Sequence, residues 1–168
     1  MTSLTVIYGD GRGKTSSVIG YLYRKITEER NIIIAQFLKT GKNCGECTFF
    51  ESYPNIKWFC FGKNEFYHDE NKEEFQKIIA VGYQQLREAV IHEKVGILIL
   101  DEVGIALFFN LIDWREIKDL FQFVKEEVII TGRKIPDIVL QDASTSINVK
   151  EIKHPYKTGI QARKGIDY

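Results

Sequence analysis

Apolar residues along the chain fall into short unbroken runs separated by longer amphipathic stretches. The runs LTVIY (4–8), NIIIAQF (31–37), IKWFCF (56–61), GILILD (96–101), EVIITG (127–132) and INVKEI (147–152) predict strands. Several are apolar on both faces, as a strand covered by helices on both sides must be. Between them, residues 72–92 place Phe75, Ile78, Ile79, Gly82, Leu86 and Ala89 on one stripe at helical spacing. Residues 113–125 do the same with Ile117, Leu120, Phe121 and Val124, and a third stripe runs through Val18, Ile19, Leu22 and Ile26. Strands alternating with helices predict βαβ units, hence an α/β fold with a mostly parallel sheet of about six strands and ligands at the strands' carboxyl ends. No internal repeat, low-complexity tract or linker interrupts the pattern, so one domain over 1–168 is expected. The polar stretches 40–47 and 62–71 are the loops long enough to reach over a site.

Composition narrows the function classes. At 168 residues with 44% apolar side chains the chain can bury a substantial core. Acidic and basic residues balance at 23 each, so no overall field draws the protein to nucleic acid. The sequence carries no charged-then-apolar leader and no apolar run of membrane-spanning length, and the expected compartment is the cytoplasm. Three cysteines, an odd count, fit a reducing compartment better than a disulfide framework.

Candidate chemistry begins directly after the first predicted strand, in YGDGRGKTSS (8–17). A Gly-Lys-Thr behind alternating glycines has the makings of a phosphate cradle, although the standard pattern places its first glycine at position 8, where Tyr8 stands, and Gly9 comes one place late. The context is still strand, loop, helix. Gly9, Gly11 and Gly13 let successive N–H groups turn inward, the helix N-terminus adds partial positive charge, Lys14 can bridge phosphate oxygens, and Thr15 can hold magnesium. A bare glycine turn would need no Lys-Thr pair. The strand LILDE then ends on two carboxylates, with Asp101 the magnesium candidate and Glu102 either a second ligand or, in a hydrolase, the group that orients water. Two further signals point to structure. Cys44-x-x-Cys47, with Cys60 and His68 later, is one CxxC without a second close pair, so loop cysteines are expected rather than zinc. Trp58, Phe59 and Phe61 are expected in the core.

The glycine spacing of GDGRGKT, then QFLKTG with GE shortly after, LDE, ITGR and the tail KHPYKTGIQARKGIDY together resemble the ATP:corrinoid adenosyltransferases, the cob(I)yrinic acid a,c-diamide adenosyltransferase group. The likeness spans almost the whole chain, and the late first glycine is normal in that family. It implies a RecA-like P-loop fold, usually a homodimer, in which cobalt(I) of a reduced corrinoid attacks the ribose C5′ of ATP and triphosphate leaves. By that resemblance the nucleotide is held by Gly9, Asp10, Gly11, Arg12, Gly13, Lys14, Thr15, Ser16 and Arg133. Lys14, Arg24 and Glu102 are the catalytic candidates, and magnesium falls to Thr15, Asp101 and Glu102. An electron-donor protein such as a flavodoxin is an implied partner. The tail residues His154, Lys164 and Tyr168 are read as mostly structural.

The sequence departs from the family where the corrinoid is handled. The usual Met-Gly-x-Gly-Phe-Thr-Trp is here FGKNEFY, with Gly62 kept, Glu65 in the phenylalanine slot, Phe66 beside it and Tyr67 in place of tryptophan. Phe66 and Tyr67 are thus the corrinoid-side candidates. Glu102 is followed by Val103 and Gly104, where the family often has an apolar residue and Asn. Two other classes stay open on the residues alone: a P-loop ATP-binding regulator or interaction module without corrinoid chemistry, and a P-loop ATPase or phosphotransferase.

Overall fold

The computed structural model describes residues 2–25, 30–41 and 45–153. Ile26, Cys44, His154, Lys164 and Tyr168 lie outside those residues. The described elements run β1 (Ser3–Tyr8), α1 (Lys14–Tyr23), β2 (Ile32–Phe37), α2 (Gly45–Phe50), β3 (Ile56–Phe61), α3 (Lys72–His92), β4 (Ile97–Asp101), α4 (Val103–Phe108), α5 (Trp114–Asp119), β5 (Glu127–Gly132), α6 (Asp137–Asp142) and β6 (Thr145–Asn148). The strands form one six-stranded sheet in the order β3-β2-β4-β5-β1-β6, with every pair parallel. That is the expected RecA-like class of α/β sheet, and its first five strands lie within one or two residues of the predicted runs.

The period of two along each strand divides the core between two faces. Ile33, Ala35 and Phe37 of β2 join Leu98 and Leu100 of β4 in a cluster with α3, α4 and α5. Ile32 and Ile34 join Ile97 and Ile99 under α1 and α2. Helix α3 presents Phe75, Ile79, Gly82, Tyr83, Leu86 and Val90 to the first cluster, with Ile78 and Ala89 at its margin. Of the three aromatics expected in the core of β3, Phe61 is buried, Phe59 packs at the edge of the first cluster and Trp58 at the edge of the second.

Three elements differ from the sequence expectation. The last strand spans Thr145–Asn148 instead of 147–152, because pairing with β1 begins at Thr5↔Thr145 and ends at Tyr8↔Asn148. It is an exposed edge strand, so no apolar run marks it. The segment 113–125 is not one helix: α5 ends at Asp119 and a tighter 3-10 turn, Leu120–Phe123, follows. Val124 must adopt an extended backbone so that Lys125 N–H can donate to Val95 O, 2.9 Å away, and the helix cannot continue through it. The stretch 40–47 is only partly loop, since α2 starts at Gly45. Helices α4 and α6, six residues each, are too short to show a helical stripe.

Gly104 explains one departure from the family pattern. A Cβ there would lie 2.9 Å from Lys134 O and 3.2 Å from Gly132 Cα, so α4 packs on the end of β5 backbone to backbone. An asparagine would not fit. Gly104→Ala is expected to cost about 1–3 kcal/mol by overpacking, read as a lower urea midpoint at unchanged m-value. A midpoint equal to wild type would show that α4 can move away at no cost.

Candidate functional site: the glycine loop and the acidic strand end

The loop between β1 and α1 is folded against the chain that leaves β6. After Asn148, Val149 N–H donates to Tyr8 O at 2.7 Å and Gly11 N–H donates to Val149 O at 2.8 Å. Gly9 and Gly13 have φ of 108° and 99°, the left-handed region that glycine enters without a Cβ penalty. A side chain at Gly9 would also strike Val149 O, at 2.6 Å, whereas nothing lies within 4 Å of a Cβ at Gly13. The late first glycine therefore sits where the chain turns off the sheet under a neighbouring backbone.

Lys14 opens α1 and is only 6% exposed, its ammonium donating to Gly11 O at 2.8 Å. Burial pushes its pKa below the ordinary lysine range, opposed by the carboxylate of Glu102 and reinforced by Arg133. A buried lysine with one backbone acceptor has donors to spare for an anion.

Asp101, at the end of β4, is the hub of the site. Its Oδ1 accepts from the hydroxyls of Thr15 at 2.9 Å and Thr131 at 2.6 Å, and its Oδ2 accepts from Gln36 Nε2 at 3.0 Å and Lys39 Nζ at 2.7 Å. At 2% exposure, burial alone would raise its pKa, but Lys39 and the two hydroxyls outweigh that and hold the carboxyl below its usual range. Glu102 goes the other way. Burial first, then the adjacent Asp101 charge, raise its pKa. Its backbone is left-handed, φ 58°, with its N–H donating to Thr131 Oγ1 at 2.9 Å, and Leu38 at the end of β2 is left-handed too, at φ 60°. Two such non-glycine turns side by side cost free energy that the fold spends to aim Lys39 and Glu102 at one place.

A pH dependence follows from Glu102. With the folded pKa above the unfolded one, its contribution to stability is complete below the unfolded value and is lost as pH rises through the folded value. Glu102→Gln is therefore expected to gain stability relative to wild type on going from about pH 5 to about pH 8. Parallel urea titrations of the two proteins should diverge in that window; parallel lines would place the Glu102 carboxyl in water.

The sequence-predicted residues divide into those brought together and those kept apart. Gly9 to Thr15, Asp101 and Glu102 converge, with Asp10, Arg12 and Ser16 exposed on the loop. Arg133 is exposed just beyond β5, near enough for its charge to act on both Lys14 and Glu102. Arg24 caps the far end of α1, about 15 Å along the helix axis from Lys14, and is exposed. Phe66 is 86% exposed. Tyr67 is stacked on Phe109 at 4.4 Å and set edge-on to Phe75 at 5.9 Å, on the α3 side of the sheet. Glu65 is held by Lys63 at 2.7 Å, which also reaches Glu74 at 2.6 Å. Among the described residues, no group of three or more His, Cys, Asp or Glu converges to hold a metal ion. Cys47 is disulfide-bonded, against the expectation of reduced loop thiols, while Cys60 is free and its thiol is pushed up by burial.

Lys39, Gln36 and Thr131 are site residues that sequence reasoning does not single out. A signal for two of them exists: Gln36 and Thr131 are polar residues at the carboxyl ends of otherwise apolar strands, where nothing but a site or a network needs them.

Comparison with known proteins adds an identity to this geometry. The family model ATP:corrinoid adenosyltransferase BtuR/CobO/CobP matches residues 2–168. The chain belongs to this family. Among relatives, the corrinoid adenosyltransferase of Sinorhizobium sp. is 25% identical, over 95% of this chain and 77% of that protein. That of Pseudomonas aeruginosa is 25% identical, over 98% of this chain and 83% of its own. The Escherichia coli K12 corrinoid adenosyltransferase is 24% identical, over 98% and 85%. A solved structure, the Hef helicase domain of Pyrococcus furiosus, superposes with a TM-score of 0.46 and 14% identity, over 96% of this chain and 38% of that one.

Proposed function

We propose that this chain transfers the 5′-deoxyadenosyl group of ATP to cobalt(I) of a corrinoid and releases triphosphate. The observation that carries the reading is a buried Lys14 at the end of the glycine loop, followed by Thr15 donating to Asp101, whose carboxyl is held below its usual range, in a chain whose family is named for that reaction. The loop from Gly9 to Ser16 is a phosphate-binding P-loop, with Arg133 at its rim. Cobalt(I) supplies both electrons of the new cobalt–carbon bond, and the pair of the breaking C5′–O bond stays on the triphosphate oxygen. The protein's task is to hold the triphosphate and stabilise that charge where it forms, and Lys14 and the loop amides are placed to do so. No protein nucleophile or base is required.

The residues present fit magnesium. Thr15 Oγ1 and Asp101 Oδ1 are 2.9 Å apart, and an ionised carboxylate with a hydroxyl is the hard oxygen set that ion takes, with Glu102 beside them. When bound, magnesium would supply further charge neutralisation on the leaving group. We assign Arg24 a supporting catalytic role and Phe66 and Tyr67 the corrinoid side. We further infer a single domain over 1–168, a homodimer, a flavodoxin-like electron donor and a cytoplasmic location. No helix among the described residues is long and apolar enough to cross a membrane.

The test is anaerobic: ATP, magnesium and chemically reduced cob(I)alamin, following the cobalt(I) absorbance and identifying the phosphate product. Adenosylcobalamin with triphosphate is the expected result. ADP and phosphate would mark an ATPase, and ATP binding without a cobalt–carbon bond would mark a regulator.

A further inference from the structure

We propose that Lys39 is a positioning residue that locks the corrinoid-side segment 62–71 to the triphosphate site, acting through Asp101 rather than on either substrate. The assignment rests on the adenosyl-transfer reading, which puts the triphosphate on the glycine loop and the acceptor at Phe66 and Tyr67.

Three observations carry it. The first is a backbone contact at the root of the segment. β3 ends at Phe61, whose carbonyl accepts from Leu38 N–H at 2.9 Å, and the next residue, Gly62, lies directly against the Lys39 backbone. A Cβ on Gly62 would stand 2.4 Å from Lys39 N, 2.5 Å from Leu38 C and 2.9 Å from Lys39 C, so only glycine lets the two backbones meet there. Leu38 and Gly41 both take left-handed backbone, at φ 60° and 69°, and a Cβ on Gly41 would strike Cys60 Sγ at 2.6 Å. The 38–41 turn is thus fitted to the end of β3 at two points, at the cost of a strained non-glycine residue.

The second is the reach of the side chain. From that turn Lys39 crosses to β4, where its Nζ donates to Asp101 Oδ2 at 2.7 Å. In the sheet β2 lies between β3 and β4. The ion pair therefore transmits the position of Gly62, at the end of β3, to the carboxylate on which Thr15 also converges.

The third is a second anchor leading to the same place. Tyr67 is stacked at 4.4 Å on Phe109, the residue that caps α4, and α4 starts directly after Glu102. Both ends of 62–67 thus return to the Asp101–Glu102 pair, one through Lys39 and one through α4. Phe66, between the anchors, stays exposed. A segment tied at both ends holds the acceptor side at a set distance from the phosphates, which attack on C5′ requires.

Calorimetry with inorganic tripolyphosphate in excess magnesium reads this coupling without a corrinoid. Gly62→Ala pushes the Lys39 backbone away and is expected to raise the Kd of tripolyphosphate about three- to tenfold, although residue 62 belongs to the other substrate's segment. Lys39→Met should raise it by a similar factor, and Lys39→Arg, which keeps the charge, by less than about twofold. The variant carrying both Gly62→Ala and Lys39→Met should bind no more weakly than Lys39→Met alone. Amide hydrogen exchange gives a second reading, which decides by itself if Gly62→Ala does not fold. Saturating tripolyphosphate should slow exchange across 62–67 several-fold in wild type and leave it unchanged in Lys39→Met. An unchanged Kd in Gly62→Ala, an equal loss with and without Lys39, or equal protection of 62–67 in wild type and Lys39→Met overturns the assignment and leaves the adenosyl-transfer reading intact. Failure of the wild-type protein to bind tripolyphosphate overturns both.

Discussion

Lys14→Ala is expected to weaken ATP binding and adenosyl transfer by about 2–3 kcal/mol, roughly 30- to 150-fold, the scale of a charge-assisted hydrogen bond to a polyanion. The side chain is almost wholly buried and its resting partner is a single backbone carbonyl, Gly11 O. Burial already pushes its pKa down, so the folded protein holds an ammonium in a place that disfavours the charge until an anion arrives. Two consequences separate this role from a structural one. Lys14→Met should leave the nucleotide-free protein no less stable than wild type in urea, because the charge it removes was not stabilised by folding. ATP binding to wild type should also be accompanied by proton uptake at alkaline pH, since the triphosphate draws the Lys14 pKa back up; calorimetry in buffers of different ionisation enthalpy reads this directly. Unchanged turnover in Lys14→Ala would remove Lys14 from the mechanism.

Asp101→Asn is expected to cost about 2–4 kcal/mol of folding stability and, on the magnesium assignment proposed above, to abolish any dependence of turnover on that ion. The carboxylate accepts from four donors, and an amide offers one acceptor oxygen in exchange for two. Whichever way the amide is turned, its NH₂ faces two groups: either Lys39, which has no acceptor, and Gln36, whose flip would turn an NH₂ toward the Trp58 indole N–H, or two hydroxyls, of which Thr131 already accepts from Glu102 N–H. The Lys39 share of the loss is the smaller one, because that side chain is 38% exposed and partly screened. A double-mutant cycle with Lys39→Met isolates it: the Lys39 substitution should cost less in the Asp101→Asn background than in wild type. The acid limb carries a sign as well. A carboxyl whose folded pKa is depressed stabilises the fold above its unfolded value and loses that contribution as pH falls through the folded value. Asp101→Asn should therefore flatten the acid side of the stability profile, and an unaltered acid limb would show that the four donors do not act on Asp101.

The same network shows what can be read without coordinates. Glycine spacing, the Lys-Thr pair and the Asp-Glu at a strand end are legible because each is local, a few residues whose types have one common use. Lys39, Gln36 and Thr131 are not, since what selects them is their convergence on Asp101 from two other strands. Tyr67 is likewise placed by distant contacts: adjacent to the exposed Phe66 in sequence, it is tied to Phe109 and Phe75 in space.

The sequence by itself determined the α/β class, five of the six strands, the long helix α3 and the glycine loop with its acidic counterpart, because apolar periodicity and turn chemistry are properties of short stretches of chain. Only the tertiary structure decided the strand order, the placement of the exposed edge strand β6, the break of the 113–125 segment into helix and 3-10 turn, and the row from Thr131 through Asp101 and Gln36 to Trp58. Those features depend on which strands lie side by side, and pairing partners far apart in sequence are chosen by the packing of the whole sheet rather than by any run of residues within it.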